Sequence, residues 1–286
     1  MTDRQAFAEL RWRYLLPPLA VLSLALPVVG VLVGFETVAA RYSGWFLAAA
    51  VCLSAFAPVA ALALASHSWR GCSALALVVV LWFFNIAIAT LPQVGPFREL
   101  DWNWQGKTLD LAWMLGIIVM LPVALRREIG WTWRTNAGSL PVAFINIAIM
   151  VAVGFFVFGE VGPIFVGQGL SLERVLFDTT YPNLVEEIIY RGFMLALLDR
   201  AFPPRWHFSG AKMGWGVVLT AWLFGLVHGI TPDANGTIVF DPLWLVATFV
   251  AGLMFGWIRA LTGSLWPAFL AHCAPEVGIL FALAVR

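Results

Sequence analysis

Residues 14–35 read YLLPPLAVLSLALPVVGVLVGF, 22 residues without a charge. A helix crossing a bilayer needs about 20 apolar residues. The apolar core of a secretory signal peptide has only about 7–15. The run is therefore expected to stay in the protein as a membrane-spanning helix. Splitting the rest of the chain at clusters of charge, Pro and Gly gives eight further apolar segments, at about 44–66, 72–91, 108–125, 140–158, 180–198, 213–230, 242–260 and 264–285. The reading is an all-α polytopic transmembrane bundle with eight or nine membrane segments.

Composition agrees. Of 286 residues, 61% are hydrophobic and 12% charged, with a mean hydropathy of +0.87. Soluble domains have about 45–50% apolar and about 25% charged residues. A disordered chain, a disulfide scaffold and an ordinary cytosolic enzyme are excluded. The net charge is +1 and the basic residues are scattered, so no nucleic-acid partner is expected. Cys52, Cys72 and Cys273 sit in or beside apolar runs without a C-x-x-C spacing and read as small core residues.

Several segments end in aromatics suited to the interface, among them Trp12, Trp45, Trp69, Trp104, Trp131, Trp133, Trp215, Trp244 and Trp266. Gly252 and Gly256 are spaced for a close helix–helix seam. With nine crossings and an inner N-terminus, the basic residues divide eleven inside to five outside. Two regions are distinguished. Residues 1–160 are membrane segments without a motif, and residues 161–286 form a helical catalytic core within the same bundle.

Charge enters the membrane in that second region. Segment 180–198 carries Glu186, Glu187 and Arg191, segment 213–230 ends in Phe224 and His228, and segment 264–285 carries His272, Pro275 and Glu276. A charge at mid-bilayer costs about 2.5–3.5 kcal/mol on insertion scales. Such a set must face its own members or water. Glu187 and Arg191 are spaced for an ion pair along one helix. Glu186 is turned about 100° away and is left to face something else. His272 and Glu276 share a face, and the carboxylate can fix the imidazole tautomer. Phe224 and His228 share another, so the ring can wall a pocket. Asp110, the main charge in the earlier segments, is placed near an interface. His67 and His207 fall in loops and read as surface residues.

An acid, two histidines and a second acid can activate water. Glu186 can act as general base, its basicity raised by burial, and the histidines can hold water or stabilise an oxyanion. Glu186, His228, His272 and Glu276 can equally hold a divalent metal such as zinc. No His-Glu-x-x-His helix, Gly-x-Gly-Asp motif or Gly-x-Ser-Gly context is present. Besides a peptidase, two other classes use such a polar core: a non-enzymatic scaffold and a proton-coupled transporter. The transporter should show polar, broken helices in both halves.

These residues resemble the CPBP family, the CAAX-protease or Abi type of intramembrane endopeptidase. Its Glu-Glu-x-x-x-Arg motif corresponds to Glu186, Glu187 and Arg191, its Phe-x-x-x-His to Phe224 and His228, and its last histidine to His272. Gly192 and Phe193 extend the first motif. Glu276 stands where the family has Asn or Asp. The resemblance implies an integral-membrane endopeptidase acting on a membrane-associated protein or peptide. It implies Glu186 as catalytic base, Glu187, Arg191 and Phe224 as support, and His228 and His272 as partners of water or metal. Glu276 would orient His272 or bind the metal. Eukaryotic members cut the last three residues from prenylated CAAX proteins, and some bacterial ones are tied to bacteriocin immunity. The implied location is the inner membrane of a bacterium.

Overall fold

A computed structural model describes residues 13–66, 70–158 and 170–285. Trp12, His67 and Trp69, the first 12 residues and the first part of the loop 159–179 lie outside the described residues. The helices are α1 (Leu16–Val33), α2 (Phe35–Ala65), α3 (Arg70–Ala89), α4 (Trp104–Met120), α5 (Val123–Glu128) and α6 (Ser139–Val153). They continue with α7 (Leu172–Thr179), α8 (Tyr181–Glu187), α9 (Leu195–Ala201), α10 (Trp215–Gly229), α11 (Pro242–Thr262) and α12 (Leu265–Ala284). A π-helical segment, Ile188–Met194, joins α8 to α9, and another, Gly154–Phe158, extends α6. Two short antiparallel hairpins close loops: β1 (Trp206–Phe208) with β2 (Ala211–Met213), and β3 (Ile230–Pro232) with β4 (Ile238–Phe240).

The bundle is all-α and multi-pass, but the expected count of eight or nine spans is corrected. Among the described residues, six helices are long and apolar enough to cross a membrane: Arg13–Val33, Phe35–Ala65, Gly71–Ala89, Ser139–Val157, Pro242–Thr262 and Leu265–Ala284. The other three segments do form helices. However, α4 has 17 residues, α10 has 15, and the α8–α9 run is broken by its π segment and carries charge. All seven residues of the π segment and ten of the 15 in α10 are buried, whereas α4 exposes Val119 and Met120 at its end.

Small residues set the packing. A Cβ on Gly229 of α10 would lie 2.3 Å from the Leu245 Cβ of α11, and one on Gly252 of α11 would lie 3.1 Å from Ala221 of α10. The two helices therefore touch along their backbones. Pro275 does not break α12. There, a Cβ on Gly154 would come within 2.1 Å of the Pro275 carbonyl, so the end of α6 lies directly on it. Among the early helices, α2 reaches the same centre, where Trp222 Nε1 donates to the Ala55 carbonyl at 3.1 Å.

The bundle has two unlike ends. At one, Arg200 pairs with Glu128, Arg259 Nη2 donates to the Glu128 carbonyl at 2.6 Å, and Asn136 Nδ2 donates to the Leu261 carbonyl at 2.8 Å. The β1–β2 hairpin lies there too, its Phe208 carbonyl accepting from Trp257 Nε1 at 3.1 Å. This end gathers Arg126, Arg127, Arg134, Arg200, Arg205, Lys212 and Arg259, with a Trp133–Trp266 stack at 4.1 Å. The opposite end holds the starts of α4 and α8, the end of α10 and the β3–β4 hairpin.

Candidate active site

The site lies near that second end, where α4, α8, α10 and α12 meet. Glu186 is on the last turn of α8, His228 on the last turn of α10, and His272 in the middle of α12. The Glu186 Oε2 atom is 3.9 Å from His228 Nε2 and 3.7 Å from His272 Nε2. These gaps exceed a direct hydrogen bond and leave room for a bridging water.

The far side of each imidazole is committed. His228 Nδ1 lies 2.7 Å from the Phe224 carbonyl, which only accepts. That nitrogen therefore carries the hydrogen, and Nε2 is the ring atom turned to the site. His272 Nδ1 lies 2.8 Å from Glu187 Oε1 and donates in the same way. Each imidazole thus carries a hydrogen on Nδ1 and turns Nε2 toward Glu186.

Glu187 and Arg191 form the expected pair at 2.9 Å, with neither side chain exposed. Arg191 Nη2 also donates to the Gly252 carbonyl at 3.3 Å. The guanidinium lies 4.5 Å from the Phe224 ring centre and 5.0 Å from that of Phe255, within cation–π range. The Phe224 ring is 4.3 Å from that of His228, and Phe255 stacks on His272 at 4.7 Å. Arg191, Phe224 and Phe255 thus form the floor on which both histidines rest.

Glu276 does not join the cluster. Among the described residues it has no hydrogen bond or ion pair to His272, His228 or Glu186. Its charged surroundings are Asp178 and Arg174 of α7, with Glu186 a weaker influence. The tautomer-fixing role expected of it falls to Glu187. The His272 ring turns across the bundle to α8 instead of along its own helix to Glu276. Arg174 and Asp178 pair at 3.3 Å, and burial raises the Asp178 carboxyl above its ordinary range against the pull of that arginine.

Lys107, from the first turns of α4, was missed. Its ammonium pairs with Glu186 Oε1, on the side of the carboxylate away from the histidines. An ammonium there favours the ionised carboxylate, against the effect of burial that the sequence reading considered alone. The signal was faint: Lys107 is one of two lysines in the chain, and it sits at the start of an apolar segment. Asp110, one turn on, is fully buried within the protein. It accepts from Asn85 Nδ2 at 2.8 Å and Trp113 Nε1 at 2.7 Å.

Among the described residues no group of three or more His, Cys, Asp or Glu side chains has the arrangement of a metal site. Lys107 already supplies Glu186 with a counter-charge. The described residues do not fit a zinc centre.

The helices of this multi-pass protein thus meet at a part-buried carboxylate between two oriented imidazoles. Residues 168–277 match the family model described as Type II CAAX prenyl endopeptidase Rce1-like, in agreement with the CAAX-protease resemblance of the three motifs. The match supports an intramembrane endopeptidase of the CAAX type. No curated protein and no solved structure matches the chain.

Proposed function

We propose that this protein hydrolyses a peptide bond in a membrane-associated substrate with a water activated by Glu186. One observation carries the reading: a carboxylate oxygen faces two imidazole nitrogens whose other nitrogens are both tied to acceptors. A water between them has an acceptor for each hydrogen. Glu186 Oε2 removes one proton as the water oxygen bonds to the carbonyl carbon, and the carbonyl π electrons move to its oxygen. When the tetrahedral intermediate collapses, the C–N bond breaks and Glu186 returns the proton to the leaving amine. Glu187, held by Arg191, keeps His272 in the tautomer that accepts. Phe224 and Phe255 wall the water in.

The test uses purified protein in liposomes with two quenched-fluorescence peptides ending in Cys-aliphatic-aliphatic-X, one prenylated and one not. Glu186→Gln keeps the shape and hydrogen bonding but not the base. It should abolish cleavage with the fold intact, and wild-type activity should survive a zinc chelator. Unchanged cleavage by Glu186→Gln counts against the peptidase and favours a scaffold, which needs no base.

The basic end is the one the positive-inside rule assigns to the cytoplasm. We therefore place the catalytic centre in the outer half of the membrane, in a bacterial inner membrane. Cysteines at Asn235 and Ser209, both exposed and at opposite ends, report this. An impermeant reagent on intact cells should label the Asn235 position alone. Labelling at Ser209 alone reverses the assignment.

A further inference from the structure

We infer that a cavity at the basic end of the bundle binds one acyl chain of an anionic phospholipid, with the lipid phosphate held by Arg13 and Arg126. The inference does not depend on the peptidase reading and uses no residue of the catalytic centre.

The cavity lies between the start of α1 and helices α3, α4, α5 and α9, and has a volume of about 100 Å³. Its floor is made by Leu81, Ile117, Leu121, Ile129 and Phe193, all buried. Leu15, Leu77, Leu125 and Leu197 form its half-buried walls. Polar groups are few and lie toward the mouth. The Tyr14 hydroxyl accepts from Arg13 Nη2 at 3.4 Å, and Glu128 pairs with Arg200. A water on the floor would find no hydrogen-bond partner. Apolar cavities of this kind stay dry and take hydrocarbon. In a membrane the hydrocarbon at hand is a lipid chain. Along their helical run, Phe193 on the floor and Arg200 at the mouth are separated by about 10 Å, at 1.5 Å per residue. That depth admits several methylene groups in line.

The charge around the mouth selects the headgroup. Arg13 directly precedes the uncharged run that begins at Tyr14, and Arg126 directly follows the uncharged run 111–125. Both therefore sit where hydrocarbon gives way to headgroups. Arg126 reaches back along the cavity wall. Its Nε donates to the Leu121 carbonyl at 2.8 Å and its Nη2 to the Val119 carbonyl at 2.7 Å. Those acceptors carry no charge, and neither does the Tyr14 hydroxyl that Arg13 meets. Among the described residues neither arginine has an acidic partner at ion-pair distance, whereas Arg200 has Glu128. The guanidinium groups of Arg13, Arg126 and Arg200 thus outnumber the one carboxylate of Glu128. The surplus is positive, and a guanidinium fits a phosphate through paired N–H groups. Basic pockets between membrane helices bind anionic lipid headgroups for this reason. An apolar slot that opens under uncompensated arginines matches both ends of such a lipid.

The test titrates the full chain in detergent with dioleoylphosphatidylglycerol or dioleoylphosphatidylcholine and counts bound lipid by native mass spectrometry. The two lipids share their chains and differ in headgroup charge. One arginine near the membrane surface contributes a factor of about five toward an anionic lipid. Two arginines therefore give the wild type about a 25-fold preference for phosphatidylglycerol, with one lipid bound tightly. Arg13→Gln and Arg126→Gln should each weaken phosphatidylglycerol by about fivefold and leave phosphatidylcholine unchanged. High salt should shrink the preference in the same direction. Ala196→Phe fills the cavity from α9 and should remove the tightly bound lipid. If that variant does not fold, Leu77→Trp fills the cavity from α3 and carries the test. Phosphatidylglycerol bound as tightly by a folded cavity-filling variant as by wild type overturns the proposal, because the lipid then sits elsewhere. Equal binding of the two lipids by wild type overturns the role of the arginines and the anionic headgroup with it. Displacement of the lipid by the prenylated quenched peptide, but not by the unprenylated one, overturns the lipid as occupant and gives the cavity to a substrate chain.

Discussion

Helices α1 and α6 carry no charged residue, yet only 17% of each spanning window is buried. Helices α11 and α12 carry Arg259, His272 and Glu276, and half of each window is buried. In a soluble protein the order would be reversed. Lipid tails are as apolar as leucine, so hydrophobicity does not draw a helix inward. Leu24 and Val31 of α1 are 72% and 77% exposed within the protein because the bilayer can cover them. Helices go to the centre for two other reasons. Their polar groups need partners, and their small residues let backbones approach. Gly229 against Leu245 and Gly252 against Ala221 supply the second, and Glu187, Arg191 and His272 supply the first.

The comparison breaks most readily at Arg191. It is fully buried and bonded to Glu187 and the Gly252 carbonyl. Removing one partner of a buried ion pair costs about 3–5 kcal/mol. Arg191→Ala should lower the folded yield and the midpoint of thermal unfolding in detergent, and should abolish activity because Glu187 no longer orients His272. A variant of normal yield and activity would mean that the polar centre does not organise the inner helices.

That centre was largely legible in the sequence, for a reason peculiar to membranes. A charge in an apolar run is conspicuous and costly, so Glu186, His228 and His272 could be expected to meet, and Glu187 to pair with Arg191. Helix periodicity carried the inference within each segment. It failed where a partner came from elsewhere. The spacing of His272 and Glu276 suggested a contact that Glu187 makes instead, since two acids compete for one imidazole and only packing chooses. Lys107 escaped because it lies at the edge of its segment, where a lysine is ordinary. The partners of Asp110, Asn85 and Trp113, were likewise not marked by any spacing in the sequence. The π segment Ile188–Met194 follows from hydrogen bonds one residue longer than usual, and no side-chain pattern marks them. The span count was too high because an apolar run does not show where a helix stops: α4 has 17 residues, α10 has 15, and the α8–α9 run is interrupted by its π segment.

The smallest expected effect sharpens the comparison from the outside. In a soluble core, Leu→Ala costs about 2–5 kcal/mol, part of it for the cavity left behind. Leu24 is apolar enough for any core but faces outward on α1. When it is truncated, a lipid chain fills the space, and both folded and unfolded-in-membrane states keep the residue in hydrocarbon. Neither the transfer term nor the cavity term applies in full. Leu24→Ala should therefore change stability by no more than about 0.5 kcal/mol, as substitutions away from packed features do. The measurement is the unfolding midpoint in lipid nanodiscs, with Arg191→Ala as the contrasting case. A loss above about 1 kcal/mol would mean that protein rather than lipid covers this face, and α1 would then belong with the inner helices.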